Sequence, residues 1–433
     1  MGIRYQWNAF VPADLLVPRG CVLQKWSVIA CDQYTSQPEY WDQVEKVVGN
    51  APSTLRLILP EVYLQEKNLQ ERIDKIHDNM HQYLQAGRFS VLKDSFIYLE
   101  RTLKSGAVRK GIVGAVDLEK YDFRAGSTSS IRPTEGTVLE RIPPRVKIRK
   151  DAPLELSHVM LLIDDVEKTI IEPIQRQKGA LATLYDFELM QNGGHVRAWW
   201  LPADQAVNLK KALADFDSPA AFSERYEMEN QPVLTYAVGD GNHSLATARA
   251  CYENLKAEIG ETAALNHPAR YAMVELVNIH DPSLAFEPIH RVITGVDTKK
   301  LHAAFLEAMP SKGTDEKRKV CFVDKTDFSE IQLSGDDLPV GLVQKFLDSW
   351  VKKEKGCKVD YVHGYDVAKH LAQQEDTVAI LLPAMGKSAL FEAVVRNGSL
   401  PRKTFSMGEA DEKRFYMECR RLYKQSCGAL FSG

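Results

Sequence analysis

The stretch Tyr236-Ala-Val-Gly-Asp240-Gly-Asn-His243-Ser-Leu-Ala-Thr-Ala-Arg249 constrains the fold of this 433-residue chain more than any other. The apolar run Val233 to Val238 reads as a strand, Gly239 and Gly241 as a tight turn around an acid, and the Ala-rich text from Leu245 as a helix. A strand that enters a helix through a glycine turn leaves the first helical N–H groups without acceptors, with the positive end of the macrodipole behind them. Such a terminus seats phosphate. The plainer alternative is a capped turn, with Asp240 or Asn242 as the cap and the glycines relieving strain. A histidine beside an acid at the helix mouth favours the chemical reading.

Two familiar nucleotide motifs do not account for the turn. Gly239 and Gly241 begin a dinucleotide fingerprint, but Ser244 stands at the third glycine and no ribose-binding acid closes a βαβ unit. Gly386-Lys387-Ser388 lacks the first glycine of a phosphate-binding loop, Leu381 standing there instead.

Asp240-Gly241-Asn242-His243 after a strand resembles the Asp-Gly-His-His-Arg element of the family called domain of unknown function 1015. Arg132-Pro-Thr-Glu135, Leu161-Leu-Ile-Asp164-Asp165, Met273 to Ile279 with Asp281-Pro282, Pro288-Ile-His290-Arg291 and Leu400-Pro-Arg402-Lys403 follow in that family's order. Ile29-Ala-Cys31-Asp32-Gln-Tyr34 occupies the place of its Pro-Pro-Tyr-Asp segment. More remotely, the glycine-histidine element is similar to the phosphate-binding motif of the ParB and sulfiredoxin superfamily, which includes free-serine kinases. The resemblance implies an α+β fold: mixed sheets with packed helices, a ParB/sulfiredoxin-like nucleotide-binding core and an α/β C-terminal part. It also implies a bound nucleotide, ATP or ADP. One departure matters: Ser244 stands where the related motif often has Arg, so another residue must meet the phosphate charge.

Composition narrows the partners. With 55 Lys and Arg against 58 Asp and Glu, the chain lacks the basic excess of a nucleic-acid binder. It has neither a leader-like start nor the roughly 18 consecutive apolar residues of a membrane helix, so a cytoplasmic location is expected. Seven scattered cysteines without Cys-x-x-Cys spacing read as reduced thiols, Cys31 being a packed bystander more readily than a reactive group.

Along the chain, Leu64 to Gly87 reads as a helix burying Ile73, Ile76 and Met80, and Phe96 to Arg101 with Val108 to Asp117 as a hairpin. Residues 124–150 gather Arg132, Arg141, Arg145, Lys147, Arg149 and Lys150 around Pro133, Pro143 and Pro144, which predicts an extended surface loop. His158 to Ile163 is a strand ending in Asp164-Asp165, two carboxylates that can hold Mg²⁺ through water or simply make a turn. Lys413 to Cys427 reads as a charged helix. The text changes near residue 298, which suggests a main domain, 1–298, and a C-terminal subdomain, 299–433.

The function these features predict is phosphoryl transfer from a nucleotide to a small hydroxyl-bearing acceptor, which asks for phosphate positioning, charge neutralisation and a carboxylate base. Gly239, Gly241, Asn242 and Ser244 would seat the phosphate, with Arg132, His290 and Arg291 around it. His243 and Asp240 would act in turnover, Glu135 or Asp32 would be the base, and Asp240, Asp164 or Asp165 would engage Mg²⁺. A nucleotide-binding regulator would use the same seat without turnover. A hydrolase is the third reading, although no nucleophile elbow or zinc helix supports it.

Overall fold

Near-continuous apolar runs, buried on both faces, build the centre of the main sheet. In the computed structural model, which describes residues 7–309, 315–335, 337–354, 356–401 and 403–423, the described residues up to Leu284 and those from Glu409 form one compact unit, and Ala285–Gly408 form a second. The first unit holds β1 (Phe10–Val11), β2 (Ala13–Pro18), β3 (Phe89–Thr102), β4 (Val108–Asp117), β5 (Ile131–Pro133), β6 (Leu154–Leu156), β7 (Met160–Ile163), β8 (Ala182–Glu188), β9 (His195–Pro202), β10 (Tyr236–Asp240) and β11 (Tyr271–Asn278). With β18 (Cys419–Arg421) the sheet runs β5-β10-β7-β11-β4-β3-β2-β18-β6, and β1, β8 and β9 attach through β4 and β3.

Register positions the site. Strand β10 lies parallel to β5 and antiparallel to β7, with Ala237 opposite Leu162 and Asp240 opposite Met160. The pairing shifts between Val238 and Asp240, so the ladder breaks at Gly239, where the turn begins. The helix Asn242–Ile259 follows and buries Leu245, Ala248 and Tyr252 in a core shared with Tyr236, Val238 and Leu161. A second core joins Trp26, Trp41, Ile76, Met80, Leu154 and Met273, so Met273 and its neighbours Ala272 and Val274 point into different cores, as strand alternation requires.

Two sequence expectations give way here. Residues 124–150 are not wholly an extended loop: Ile142–Arg149 is a helix with proline in its first turn, where a missing N–H costs no hydrogen bond. The charged C-terminal helix is absent from Lys413 to Tyr423; the chain there is extended, and β18 pairs with β2 and β6. Arg414 and Arg420, which fall in that expected helix, are both buried in ion pairs, with Glu275 and Glu418 for one and with Glu155 for the other. Cys427 lies outside the described residues, as does Arg402.

In the second unit, β12 (Phe286–Thr294), β13 (Lys319–Val323), β14 (Phe328–Gln332), β15 (Lys358–His363) and β16 (Thr377–Leu381) form a sheet in the order β14-β13-β16-β12-β15, with β17 (Phe405–Met407) on β12. Thr298–Ala308 and Pro339–Lys353 cover it with Leu301, Phe305, Val343 and Leu347. The whole is a mixed α+β architecture with two sheets.

Candidate active site

The turn after β10 is shaped by Gly241. Its φ is +75°, and a Cβ there would stand 3.0 Å from Val159 Cα and Cγ2 and 3.4 Å from His158 Cδ2. Glycine therefore lets the helix mouth close onto the His158-Val159 segment. The first helical bond runs from Leu245 N to Gly241 O, 3.0 Å, leaving the amides of Asn242, His243 and Ser244 without intrahelical acceptors. No side chain caps this end and no acid lies in its first turn. Asp240 turns back to accept from Gly241 N at 2.9 Å. Among the described residues, the buried Asn242 Oδ1 and Thr137 Oγ1 have no hydrogen-bond partner.

His158 organises the polar groups beside this mouth. Its Nδ1 is 2.7 Å from the Tyr416 hydroxyl, and its Nε2 is 3.3 Å from Ser244 Oγ and 3.6 Å from Asp32 Oδ2. Tyr416 donates to Cys31 Sγ at 3.1 Å and accepts from Cys31 N at 3.3 Å. Burial opposes charge on His158, but Asp32, and more weakly Asp240 and Glu61, outweigh it and raise the imidazole above its ordinary value. Burial likewise opposes charge on Asp32, yet His158, the Gln33 amide and Lys413 hold its carboxyl well below the usual range. Each member of the pair thus favours the charged form of the other. With both nitrogens protonated, Nδ1–H donates to Tyr416, which passes its own proton toward Cys31. Burial, Asp32 and Glu61 push the Cys31 thiol up, so it is a packed thiol rather than a nucleophile.

His243, one residue into the helix, behaves oppositely. Burial and the nearby Arg145 and Arg141 lower it to about 4, so the ring is neutral at pH 7. Its Nε2 accepts from Val138 N at 3.3 Å, which places the proton on Nδ1 and leaves that nitrogen a donor. Arg141 stands at the N-cap of the basic helix Ile142–Arg149 and Arg145 lies within it, paired with Glu61. A cleft of about 130 Å³ opens here, its polar end formed by Cys31, Glu61, Arg145, His158, Ser244 and Tyr416, its apolar wall by Leu59, Met80 and Ile148 among others.

Among the residues singled out from sequence, the structure brings Asp32, Asp240, Gly241, Asn242, His243 and Ser244 to this mouth. Gly239 marks the break in the ladder. Glu135 follows Thr134, whose amide and hydroxyl both bind Val238 O, at 3.3 and 2.8 Å, beside the exit of β10. Arg132 goes elsewhere: its guanidinium binds the carbonyls of Ser129, Pro232 and Val233, before the opposite end of β10. Asp164 and Asp165 follow the last residue of β7, whereas Asp240 pairs with its first, so these three carboxylates do not converge on one ion. Both are also engaged, Asp164 by His280 and Tyr226, Asp165 by Thr169 and Ile170 N. His290 and Arg291 belong to the second unit. His290 Nδ1 accepts from Leu382 N at 3.1 Å and is lowered to about 4 by burial, Arg291 and His363, while Arg291 donates to Gln344 and Ile289 O. Sequence reasoning missed His158, Tyr416 and Lys413, which no local motif marks.

The family model for a protein of unknown function, DUF1015, matches residues 16–357, and the chain belongs to that family. No curated protein matches. Among solved structures, a free serine kinase in complex with AMP is similar at 12% identity and a TM-score of 0.37, covering 71% of this chain and 91% of that one. A conserved hypothetical protein from Pyrococcus furiosus is similar at 12% identity and a TM-score of 0.35, covering 71% and 94%. SbnI from Staphylococcus aureus, truncated at its C-terminus, is similar at 13% identity and a TM-score of 0.34, covering 68% and 82%. No helix of the described residues is long and apolar enough to cross a membrane.

Proposed function

We propose that this member of the DUF1015 family binds a nucleotide by its phosphates at the mouth of the helix Asn242–Ile259 and transfers a phosphoryl group to a small hydroxyl-bearing acceptor. The observation that carries the reading is an ionised, partly exposed Asp32 held beside Ser244 at a helix terminus whose first amides, among the described residues, have neither an intrahelical acceptor nor a side-chain cap. Those amides, the Ser244 hydroxyl and His243 Nδ1–H are donors for phosphate oxygens. Asp32 takes the acceptor's proton as the new O–P bond forms, and the bond to the leaving nucleotide breaks with its electron pair. Proton loss is late in such reactions, so a carboxylate with a low pKa suffices. Mg²⁺ bound with the nucleotide would neutralise phosphate charge, with Asp32 and Asp240 as the nearby carboxylates.

A hydrolase triad does not fit this geometry. Ser244 and Asp32 both approach Nε2 of His158, whereas a triad needs the acid on the nitrogen opposite the nucleophile. The test is calorimetric titration with ATP and ADP, with and without Mg²⁺, followed by an acceptor screen that tracks labelled phosphate. Binding and transfer are expected. Tight binding without transfer to any acceptor makes the protein a nucleotide-responsive regulator, and no binding of either nucleotide removes the proposal.

A further inference from the structure

We infer that Lys413, which follows the short 3-10 helix Ala410–Glu412 in the segment Glu409–Leu422, is the cation that meets the ligand's phosphates at the helix mouth, in place of the guanidinium that Ser244 does not supply. The inference rests on the phosphate seat proposed above, and it concerns a segment outside the residues that the family model matches.

Lys413 Nζ lies 3.4 Å from Asp240 Oδ2, with only 13% of its side chain exposed, and its charge also helps keep Asp32 ionised. One ammonium therefore faces both carboxylates of the mouth. An incoming phosphate brings further negative charge, and the Arg145 guanidinium is held by Glu61 in a closer pair than Lys413 makes with Asp240. An ammonium has three donors, so Lys413 can keep Asp240 and still bind a phosphate oxygen. Asp240, which would otherwise repel the ligand, then orients the cation.

The segment is held in place with an unusual number of buried charges. Arg101 donates to the carbonyls of Asp411 and of Lys413 itself, at 2.7 and 2.9 Å, and Arg109 to that of Glu412 at 2.7 Å. Arg414 pairs with Glu275 and Glu418. Ala30 N and Val28 O bond the backbone of Arg414 and Tyr416, at 2.9 and 2.7 Å. Two side chains leave this clamp toward the mouth, Tyr416 to His158 and Lys413 to Asp240. Such fixation gives a lysine the preorganisation that a solvated surface lysine lacks.

The experiment titrates the full-length wild type and the Lys413→Met, Lys413→Gln and Lys413→Arg variants with ADP, inorganic pyrophosphate and adenosine. Loss of a charge-assisted hydrogen bond should weaken ADP and pyrophosphate roughly 10- to 100-fold in the Met and Gln variants. Arg should recover most of that loss, and adenosine should bind all four proteins alike. Wild-type ADP affinity in either neutral variant overturns the inference while leaving the seat intact. Equal losses for adenosine and ADP also overturn it, since they report a disturbed fold. A wild type that binds neither ADP nor pyrophosphate overturns seat and inference together.

Discussion

On one side of β7, Asp32, His158 and Tyr416 gather beside the helix mouth; past its other end, Asp164, His280 and Tyr226 make the same combination of acid, imidazole and phenol. In the far cluster both carboxylate oxygens are used at short range, Oδ1 by His280 at 2.6 Å and Oδ2 by Tyr226 at 2.8 Å, and the acid is buried. In the near cluster the Asp32 carboxylate stands 3.6 Å from its imidazole and is 28% exposed. Identical chemistry thus serves two ends. A saturated acid anchors strands, and an acid left with spare acceptor capacity next to unpaired amides is available to a ligand.

The largest test of that contrast exchanges the acids for amides. Asp32→Asn should lower phosphoryl transfer by about 10²- to 10⁴-fold, the range for a lost general base, with little change in stability. Asp164→Asn should do the reverse, costing roughly 2–3 kcal/mol in denaturant unfolding while the folded fraction keeps its transfer rate. Initial rates and unfolding curves on both proteins decide it. If the two substitutions produce the same profile, the division into a working end and a structural end fails.

Gly241 sharpens the comparison next. A Cβ at Gly241 would press on the Val159 backbone and reach His158, and φ of +75° is strained for alanine. Gly241→Ala should cost roughly 2–3 kcal/mol, so this substitution is no clean probe of phosphate approach. Its effect should be local: in histidine NMR spectra, the His158 signals should move and those of His280 should stay. Coincident shifts would show that the two ends are coupled through β7.

How much of this was legible in sequence follows from the range of each interaction. The strand Tyr236–Asp240, the helix after it and the helix Leu69–Gln85 are written in local periodicity and turn residues, and they stand close to where the pattern puts them. The β3–β4 hairpin is likewise local. Asp32 and the turn residues came from motifs, but their organiser did not: His158 is fixed by a tyrosine 258 residues away, and a histidine at the head of an apolar strand carries no sign of that. Arg132 and the Asp164-Asp165 pair show the opposite difficulty. Their residue types suit phosphate and metal, yet strand register sends them to the wrong ends of β10 and β7, which a linear reading cannot see. Pro143 and Pro144 misled for a third reason, since proline ends a helix in its interior and begins one in its first turn.

The smallest effect concerns pH within the near cluster, where two histidines are displaced in opposite directions. His158 is raised above 6.5 in the folded protein, so its contribution to stability is complete below 6.5 and is lost as pH rises through the folded value. His243 is lowered from 6.5 to about 4, so its contribution is complete above 6.5 and is lost as pH falls toward 4. Stability governed by these two rings should therefore peak near pH 6.5. His243→Gln should flatten the acid side by about 2 kcal/mol, allowing for the ring's partial exposure. It should not abolish that side, because the buried His290 is also lowered to about 4 and titrates over the same window. His158→Gln should instead flatten the alkaline side. Chemical denaturation from pH 4.5 to 8.5 on the three proteins measures both limbs, and an acid side unchanged by His243→Gln would mean that this ring takes up its proton in the fold as readily as in the unfolded chain, so that burial and the two arginines do not hold it neutral.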